Sequence, residues 1–281
     1  MTAQTKANRQ WWDQRTREHE RADFYDLDGF RAGRERLRSI ELSELGDVRG
    51  RSLLHLQCHF GLDTLAWARR GASVTGVDFS PAATALARSL ARELAIPAAF
   101  TCSDLYELPA VLDQQFDIVF TSYGVLHWLP DLPRWGQIVA RYLKPGAIFY
   151  IVEDHPFFRV LRPTPDGQIK AQRSYFHRSE PQRLESTGSY ATGNVGAAGS
   201  YYIWDHSLGD VVSALLAAGL RIDFLHEFPY AARAKFPFME QGDDGWWRLP
   251  AEQHGTIPFL FSLQAHRPLP DGSARETSAH D

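Results

Sequence analysis

Cysteine is scarce in this sequence: Cys58 and Cys102 are the only two in 281 residues. Two thiols exclude a disulfide-stapled scaffold and a four-cysteine zinc site, so reduced thiols are expected. Long apolar runs are missing as well. No stretch approaches the roughly 18 residues that span a bilayer. The opening MTAQTKANRQWWDQ has neither an apolar signal core nor the Arg/Ser-rich, acid-poor character of a transit peptide. These absences point to a cytoplasmic protein with no membrane partner. Excess positive charge is lacking too. Lys and Arg number 30 against 34 Asp and Glu, a formal net charge of -4, which argues against a nucleic-acid partner because phosphate binding needs a concentrated positive field. Arg31, Arg34, Arg36 and Arg38 are the local exception; with Glu35 among them and Glu41 and Glu44 following, they read as a solvated helix face. No internal repeat is visible.

What is present is an alternation of short apolar runs and helical patterns, the pattern of an α/β fold. Ser52 to Gln57 reads as a strand, LDTLAWARR as a helix ended by Gly71, and Ser73 to Asp78 as the next strand. Ser80 and Pro81 pair an N-cap hydroxyl with a proline at the first helical position. The helix they start shows an apolar face of Ala82, Leu86, Leu90 and Leu94 and stops before Pro97. Ala98 to Cys102 and Phe116 to Thr121 are the third and fourth strands. Trp135, Ile138, Val139, Tyr142 and Leu143 then recur at helical spacing, ended by Lys144-Pro145-Gly146, and Ala147 to Glu153 is a fifth strand apolar on both faces. Periodicity is lost from His155 to His206, a stretch rich in Arg, Pro, Gly, Ser and aromatics that reads as an inserted lid or cap. Leu208, Val211, Val212, Leu215 and Leu216 restore a helix closed by Gly219. RIDFLHEF and PFLFSLQAH follow without a convincing helix between them, so they should pair antiparallel.

The ordered segments LLHLQCHFG, GASVTGVDFSPAA, CSDLYELP, FDIVFTSYGVLHWLPDL and YLKPGAIFYIVE resemble the motifs of the class I S-adenosylmethionine-dependent methyltransferases, from about Leu53 to Arg267. The resemblance implies a doubly wound, mostly parallel seven-stranded sheet with helices on both faces and an antiparallel last strand, here with a cap insertion. Its domain plan is an N-terminal helical lid (1–45), a cofactor-binding half (46–154), a cap (155–206), a C-terminal part of the α/β domain (207–267) and a disordered tail (268–281). It implies S-adenosylmethionine as cofactor, S-adenosylhomocysteine as product and a small organic molecule as methyl acceptor.

Where that family usually has an acid and three glycines, this chain has His55, Gln57, His59 and only Gly61. Gln57 and His59 are expected to offer side-chain hydrogen bonds in place of bare backbone. Gly61 can still turn the chain into a helix whose unpaired N–H groups suit a carboxylate. Asp78, 17 positions after Gly61, is expected to accept from both ribose hydroxyls; the alternative is a plain helix-start acid. By the resemblance, Phe79 stacks near adenine, Asp104 accepts from the adenine amine and Leu105 offers its backbone N–H, Asp104 being otherwise a turn-forming residue. Ser80, Tyr123 and His127 complete the expected cofactor set.

His55 and His59 share the spacing of helical zinc ligands but fall on a strand and a loop, so no metal site is expected. The family's strand order places Cys58 and Cys102 two strand spacings apart, too far for a disulfide, as small buried hydrophobes. The aromatics outside the sheet, Trp11, Trp12, Phe24, Tyr25, Phe157, Phe158, Tyr201, Tyr202, Trp204, Trp246 and Trp247, either pack the cap or line a pocket for a sulfonium and its acceptor. His155 and His206 are the expected proton acceptors, ahead of His127; Asp205 or His206 could instead cap the helix near Leu208. Two rival readings are a catalytically silent binding or regulatory protein on this fold, and a nicotinamide-dependent oxidoreductase, disfavoured because G-x-G-x-x-G is absent. The methylated atom and the oligomeric state are left open.

Overall fold

The computed structural model describes residues 1–164, 168–193 and 196–270. The chain opens with α1 (Ala3–His19), capped by Thr2, then two short helices, α2 (Leu27–Arg31) and α3 (Ser39–Leu45). The expected alternation follows: β1 (Ser52–Leu56), α4 (Leu62–Arg69), β2 (Ser73–Asp78), α5 (Pro81–Glu93), β3 (Ala98–Cys102), β4 (Phe116–Ser122), α6 (Leu132–Tyr142) and β5 (Leu143–Asp154). The cap carries α7 (Pro156–Val160), a hairpin of β6 (Leu161–Pro163) and β7 (Ile169–Ala171), and a second of β8 (Gln182–Ser186) and β9 (Gly199–Ile203). It is therefore built from regular elements rather than being one long loop. The chain closes with α8 (Leu208–Ala217), β10 (Arg221–Phe228), a small hairpin of β11 (Glu240–Gln241) and β12 (Trp247–Arg248), and β13 (Leu260–His266).

Seven strands form one sheet in the order β10-β13-β5-β4-β1-β2-β3, with β13 antiparallel to both neighbours and the β1, β2, β3, β4 and β5 pairings parallel. This is the expected doubly wound sheet. The β10 to β13 connection contains no crossover helix, which leaves antiparallel pairing as the available geometry. One sheet face packs on α3, α4 and α5 through Leu65, Trp67, Ala87 and Leu90; the other packs on α6 and α8 through Trp135, Val139, Val211 and Leu215. A third cluster, Phe158, Phe236, Leu249 and Phe259, lies under the cap.

The structure departs from expectation at several points. The buried face of α5 is Ala83, Ala87, Leu90 and Ala91, whereas Ala82, Leu86 and Leu94 are only half-buried. α1 lies against α5, and Asp13 takes hydrogen bonds from the Ser80 hydroxyl and the Ala82 amide. Small alanines at the sheet contact let α5 sit close, which rotates its face away from the leucine row. Leu216 is exposed, and so is Cys102, although Cys58 is buried; both thiols are free. The arginine run is not a helix face: Arg31 ends α2, and Arg34, Arg36 and Arg38 lie in its connection to α3. Arg36 and Arg38 point inward. Of the tail expected to be disordered (268–281), residues 271–281 lie outside the described residues. Among the described residues no helix is long and apolar enough to cross a membrane.

α1 and the cap are joined across the molecule. The Asn8 amide donates to the Tyr202 carbonyl (2.8 Å) and accepts from the Tyr202 amide (2.7 Å), completing the free edge of β9 as a neighbouring strand would. Together they roof the carboxyl edge of the sheet.

Candidate active site

Under that roof lies a cavity of about 690 Å³, reached by residues from the ends of β1 to β5, from α1 and from the cap. Its floor begins at the loop after β1. Gln57, His59 and Gly61 all hold left-handed backbone, with φ of 57°, 53° and 78°. By the resemblance these are the alternate positions at which glycine is expected, and the left-handed backbone that glycine favours is found there although two side chains have been added. Non-glycine residues pay a steric penalty there and need local support. That support is visible: the His59 amide donates to Asp78 Oδ2 (2.8 Å), the Cys58 amide to the Val77 carbonyl (2.9 Å), and Gln57 Nε2 to the Val125 carbonyl (3.2 Å). Gly61 has no such latitude. A Cβ there would stand 2.6 Å from the Phe100 ring. Gly61→Ala is expected to cost about 2–4 kcal/mol of stability in chemical denaturation, from the left-handed strain plus overpacking; a loss below measurement error would refute this account.

Asp78 ends β2. Each of its oxygens receives one backbone donor, Oδ2 from His59 and Oδ1 from the Ser80 amide (2.9 Å), which leaves further acceptor capacity on both. Burial pushes its carboxyl up to about 6. Phe79, Asp104 and Leu105 line the same end of the cavity. Asp104 accepts from the Tyr106 amide (2.8 Å), and burial raises its carboxyl as well. Tyr123 and His127 line the cavity beyond β4. Of the expected cofactor set only Ser80 stands apart. Its hydroxyl accepts from the Ala83 amide and donates to Asp13, so it caps α5 and ties that helix to α1.

His55 occupies the position where the resembling family has an acid. Its Nδ1 is 2.8 Å from the Thr64 hydroxyl, and burial lowers it to about 4, so it is a neutral polar contact. The helix it precedes, α4, presents the free N–H groups of its first turn beside Asp63, which faces Arg36 at 3.4 Å. Overhead, His59 Nε2 and His19 Nδ1 share a hydrogen bond of 3.0 Å, and His19 Nε2 meets the Ser189 hydroxyl at 2.8 Å. Burial lowers His19 to about 3 and His59 well below its ordinary value, so this relay is uncharged. Trp12 packs edge-on to His59 and to Trp128, and Tyr25 lies against Phe60, giving the cavity an aromatic wall. Several of the aromatics left open by the sequence therefore line the pocket, while Trp246 packs in the core.

Both expected proton acceptors are misplaced. His155 caps α7, accepting from the Phe157 amide (3.1 Å), and turns its other nitrogen to Glu227 of β10 (2.8 Å). His206 meets the Leu129 carbonyl with Nε2 (2.7 Å) and stacks on His177. Neither borders the main cavity; each is held by a structural partner that the sequence does not reveal. Of the three histidines considered, His127 is the one that lines it.

Sequence reasoning missed the far end of the cavity, beyond β5. Asp154 lines it and binds Lys235 Nζ at 2.5 Å, with Arg233 at 4.0 Å. Burial lowers Lys235 to about 7, and the neighbouring Arg233 adds to the effect. Beneath Asp154, the Glu153 carboxylate accepts from the amides of Gly124, Val125 (2.7 Å), Leu126 (3.0 Å) and Asp154 (2.6 Å), which fixes the turn that carries His127. The Glu-Asp pair closing the fifth strand was the available signal. Lys235 offered none, because AARAKFPF has no periodicity. Among the described residues no cluster of three His, Cys, Asp or Glu side chains could hold a metal ion.

A seven-stranded sheet with one reversed strand, and a cavity at its carboxyl edge bordered by the acid ending β2, are the architecture of the Rossmann-like methyltransferase fold. Residues 54–151 match the family model described as a methyltransferase domain. The chain is 35% identical over 127 residues to a ubiquinone biosynthesis O-methyltransferase of Alkalilimnicola ehrlichii, a match covering 45% of this chain and 48% of that protein. It thus spans about half the length of the curated relatives it matches. A Listeria monocytogenes structure assigned to the S-adenosylmethionine-dependent methyltransferases superimposes with TM-score 0.60 at 19% identity, covering 81% of this chain and 95% of the other. A Mesorhizobium loti S-adenosylmethionine-dependent methyltransferase does so with TM-score 0.55 at 22% identity, covering 80% and 94%. At these identities the two structures speak to the fold.

Proposed function

We propose that this protein transfers a methyl group from S-adenosylmethionine to a small organic acceptor and releases S-adenosylhomocysteine. The observation that carries the reading is Asp78, buried at the end of β2, facing the cavity, with acceptor capacity to spare on both oxygens. In this reading Asp78 takes the ribose hydroxyls, Phe79 and Leu105 the adenine ring, and Asp104 its amine. Gln57, His59 and Gly61, with the first turn of α4, take the amino-acid end. The residues present fit such a group: the Gln57 Oε1 is buried without a hydrogen-bond partner, an acceptor suited to an ammonium. The cofactor, when bound, supplies an electrophilic methyl on a sulfonium.

The protein's own contribution is alignment and exclusion of water, which suffice for much of an in-line displacement. The aromatic wall and the α1–cap roof exclude water, and Glu153 holds the turn bearing His127. Burial, then the charges of Arg159, Arg233 and Lys235, keep His127 well below its ordinary pKa and therefore neutral. It can receive the proton an oxygen or nitrogen acceptor loses. The enclosed pocket and the net charge of -4 support a small molecule over nucleic acid, and the two free thiols support a cytoplasmic setting.

Calorimetry with S-adenosylhomocysteine tests the reading, with micromolar binding expected; no binding at high micromolar concentration would remove it. Once an acceptor is in hand, His127→Ala should lower kcat by about 100-fold, a loss larger than any accompanying change in the S-adenosylhomocysteine Kd. An unaltered kcat would take the proton-acceptor role from this residue.

A further inference from the structure

We propose that the acceptor carries an anionic oxygen group, a carboxylate or a phosphate, seated on cations that the cap and the segment after β10 bring to the far end of the cavity. The inference rests on the methyltransferase reading and deepens it. Arg159, Arg162 and Arg173 come from the cap, Arg233 and Lys235 from the segment after β10, and all five line the cavity. One carboxylate, Asp154, faces them there, and it is bound to Lys235 with Arg233 beside it. The other nearby acids, Glu153 and Asp205, act on Arg159 through their charge but make their hydrogen bonds elsewhere. Glu153 is committed to four backbone amides, and Asp205 accepts from Gln182 and does not line the cavity. Arg162 donates to the main-chain carbonyls of Arg159 (3.0 Å) and Leu161 (2.5 Å), which spreads its charge but does not cancel it. Among the described residues, Arg159 and Arg173 have no ion-pair partner.

Five basic side chains gather here, partly shielded from water; burial lowers the proton affinity of Arg159 and Arg162, Arg173 and Arg159 add to the effect at Arg162, and Asp154 and Glu153 oppose it at Arg159. Such a cluster is costly unless an anion completes it. Position separates this end from the nucleoside end. Asp78 ends β2 and Asp154 ends β5, three strand steps apart through β1 and β4, or about 14 Å at ordinary strand spacing. The cations therefore sit where the acceptor must enter rather than where the adenosine is held. An arriving anion would also offset the charges that depress His127, strengthening that base when the acceptor is in place.

The test uses the full chain, titrated calorimetrically with benzoate, inorganic phosphate and neutral benzamide, with and without saturating S-adenosylhomocysteine. Benzoate or phosphate is expected to bind and benzamide not to; whichever anion is preferred identifies the group. The double variant Arg159→Gln/Arg173→Gln should weaken that anion by about 10- to 100-fold while the S-adenosylhomocysteine Kd stays within twofold, and Arg159→Lys/Arg173→Lys should recover part of the loss. The proposal is overturned if neither anion binds, if benzamide binds as well as benzoate, or if the glutamine pair binds the anion unchanged. Failure of the methyltransferase reading shows separately, as absent S-adenosylhomocysteine binding.

Discussion

Asp78→Ala is expected to weaken S-adenosylhomocysteine binding by about 100-fold or more, because two charge-assisted hydrogen bonds are removed from a buried site. The same change strips the His59 and Ser80 amides of their acceptor, so the loop after β1 loses its support as well. Asp78→Asn should do little better, since its NH2 group faces one of those two donors. A pH dependence accompanies the loss. With its carboxyl pushed up to about 6, Asp78 is ionised at neutral pH and becomes protonated as the pH falls through that value. Wild-type affinity should therefore decline below it, and the decline should be missing in the Asn variant. Calorimetric Kd values that are flat with pH and indifferent to the substitution would sink the ribose role.

Glu153→Ala is expected to give the largest loss of stability, about 4 kcal/mol or more. It leaves the amides of Gly124, Val125, Leu126 and Asp154 buried without their acceptor, and each orphaned donor costs about 1–3 kcal/mol. Burial, then the Asp154 charge, raise Glu153 from 4.5 to about 7. A folded-state pKa above the unfolded one means that protonation favours the fold. That contribution is complete below 4.5 and is lost as the pH rises through about 7. Glu153→Gln cannot ionise. The stability difference between wild type and this variant, followed by urea denaturation, should shift against the wild type over that interval. Parallel curves would show that the carboxyl is not raised.

Much of the scaffold was legible from residue spacing. Trp135, Ile138, Val139 and Tyr142 repeat at helical period and are all buried on α6, and Ser80-Pro81 starts α5 where a hydroxyl and a fixed φ favour a first turn. The absence of a helix between RIDFLHEF and PFLFSLQAH foretold the antiparallel edge. The residues proposed for the nucleoside end were picked out because they sit directly after strands. Its backbone solution was not: the left-handed Gln57 and His59 depend on Asp78 and Val125 accepting their donors. The α5 face was misread because Ala83 and Ala87 look less like core than Leu86 and Leu94 until the neighbouring helix and strand are in place. His155 and His206 were misassigned because Glu227 and Leu129, which hold them, lie 72 and 77 positions away.

By itself the sequence determined the order of strands and helices, the turn at Gly61 and the acid at the end of β2, since period, caps and turns are settled among residues a few positions apart. The tertiary structure alone decided which of His127, His155 and His206 faces the cavity, that Arg36 and Arg38 turn inward, and that cap and C-terminal cations meet opposite Asp154. Those choices depend on chain segments far apart in sequence competing for the same space and the same buried hydrogen-bond partners, which no local pattern records.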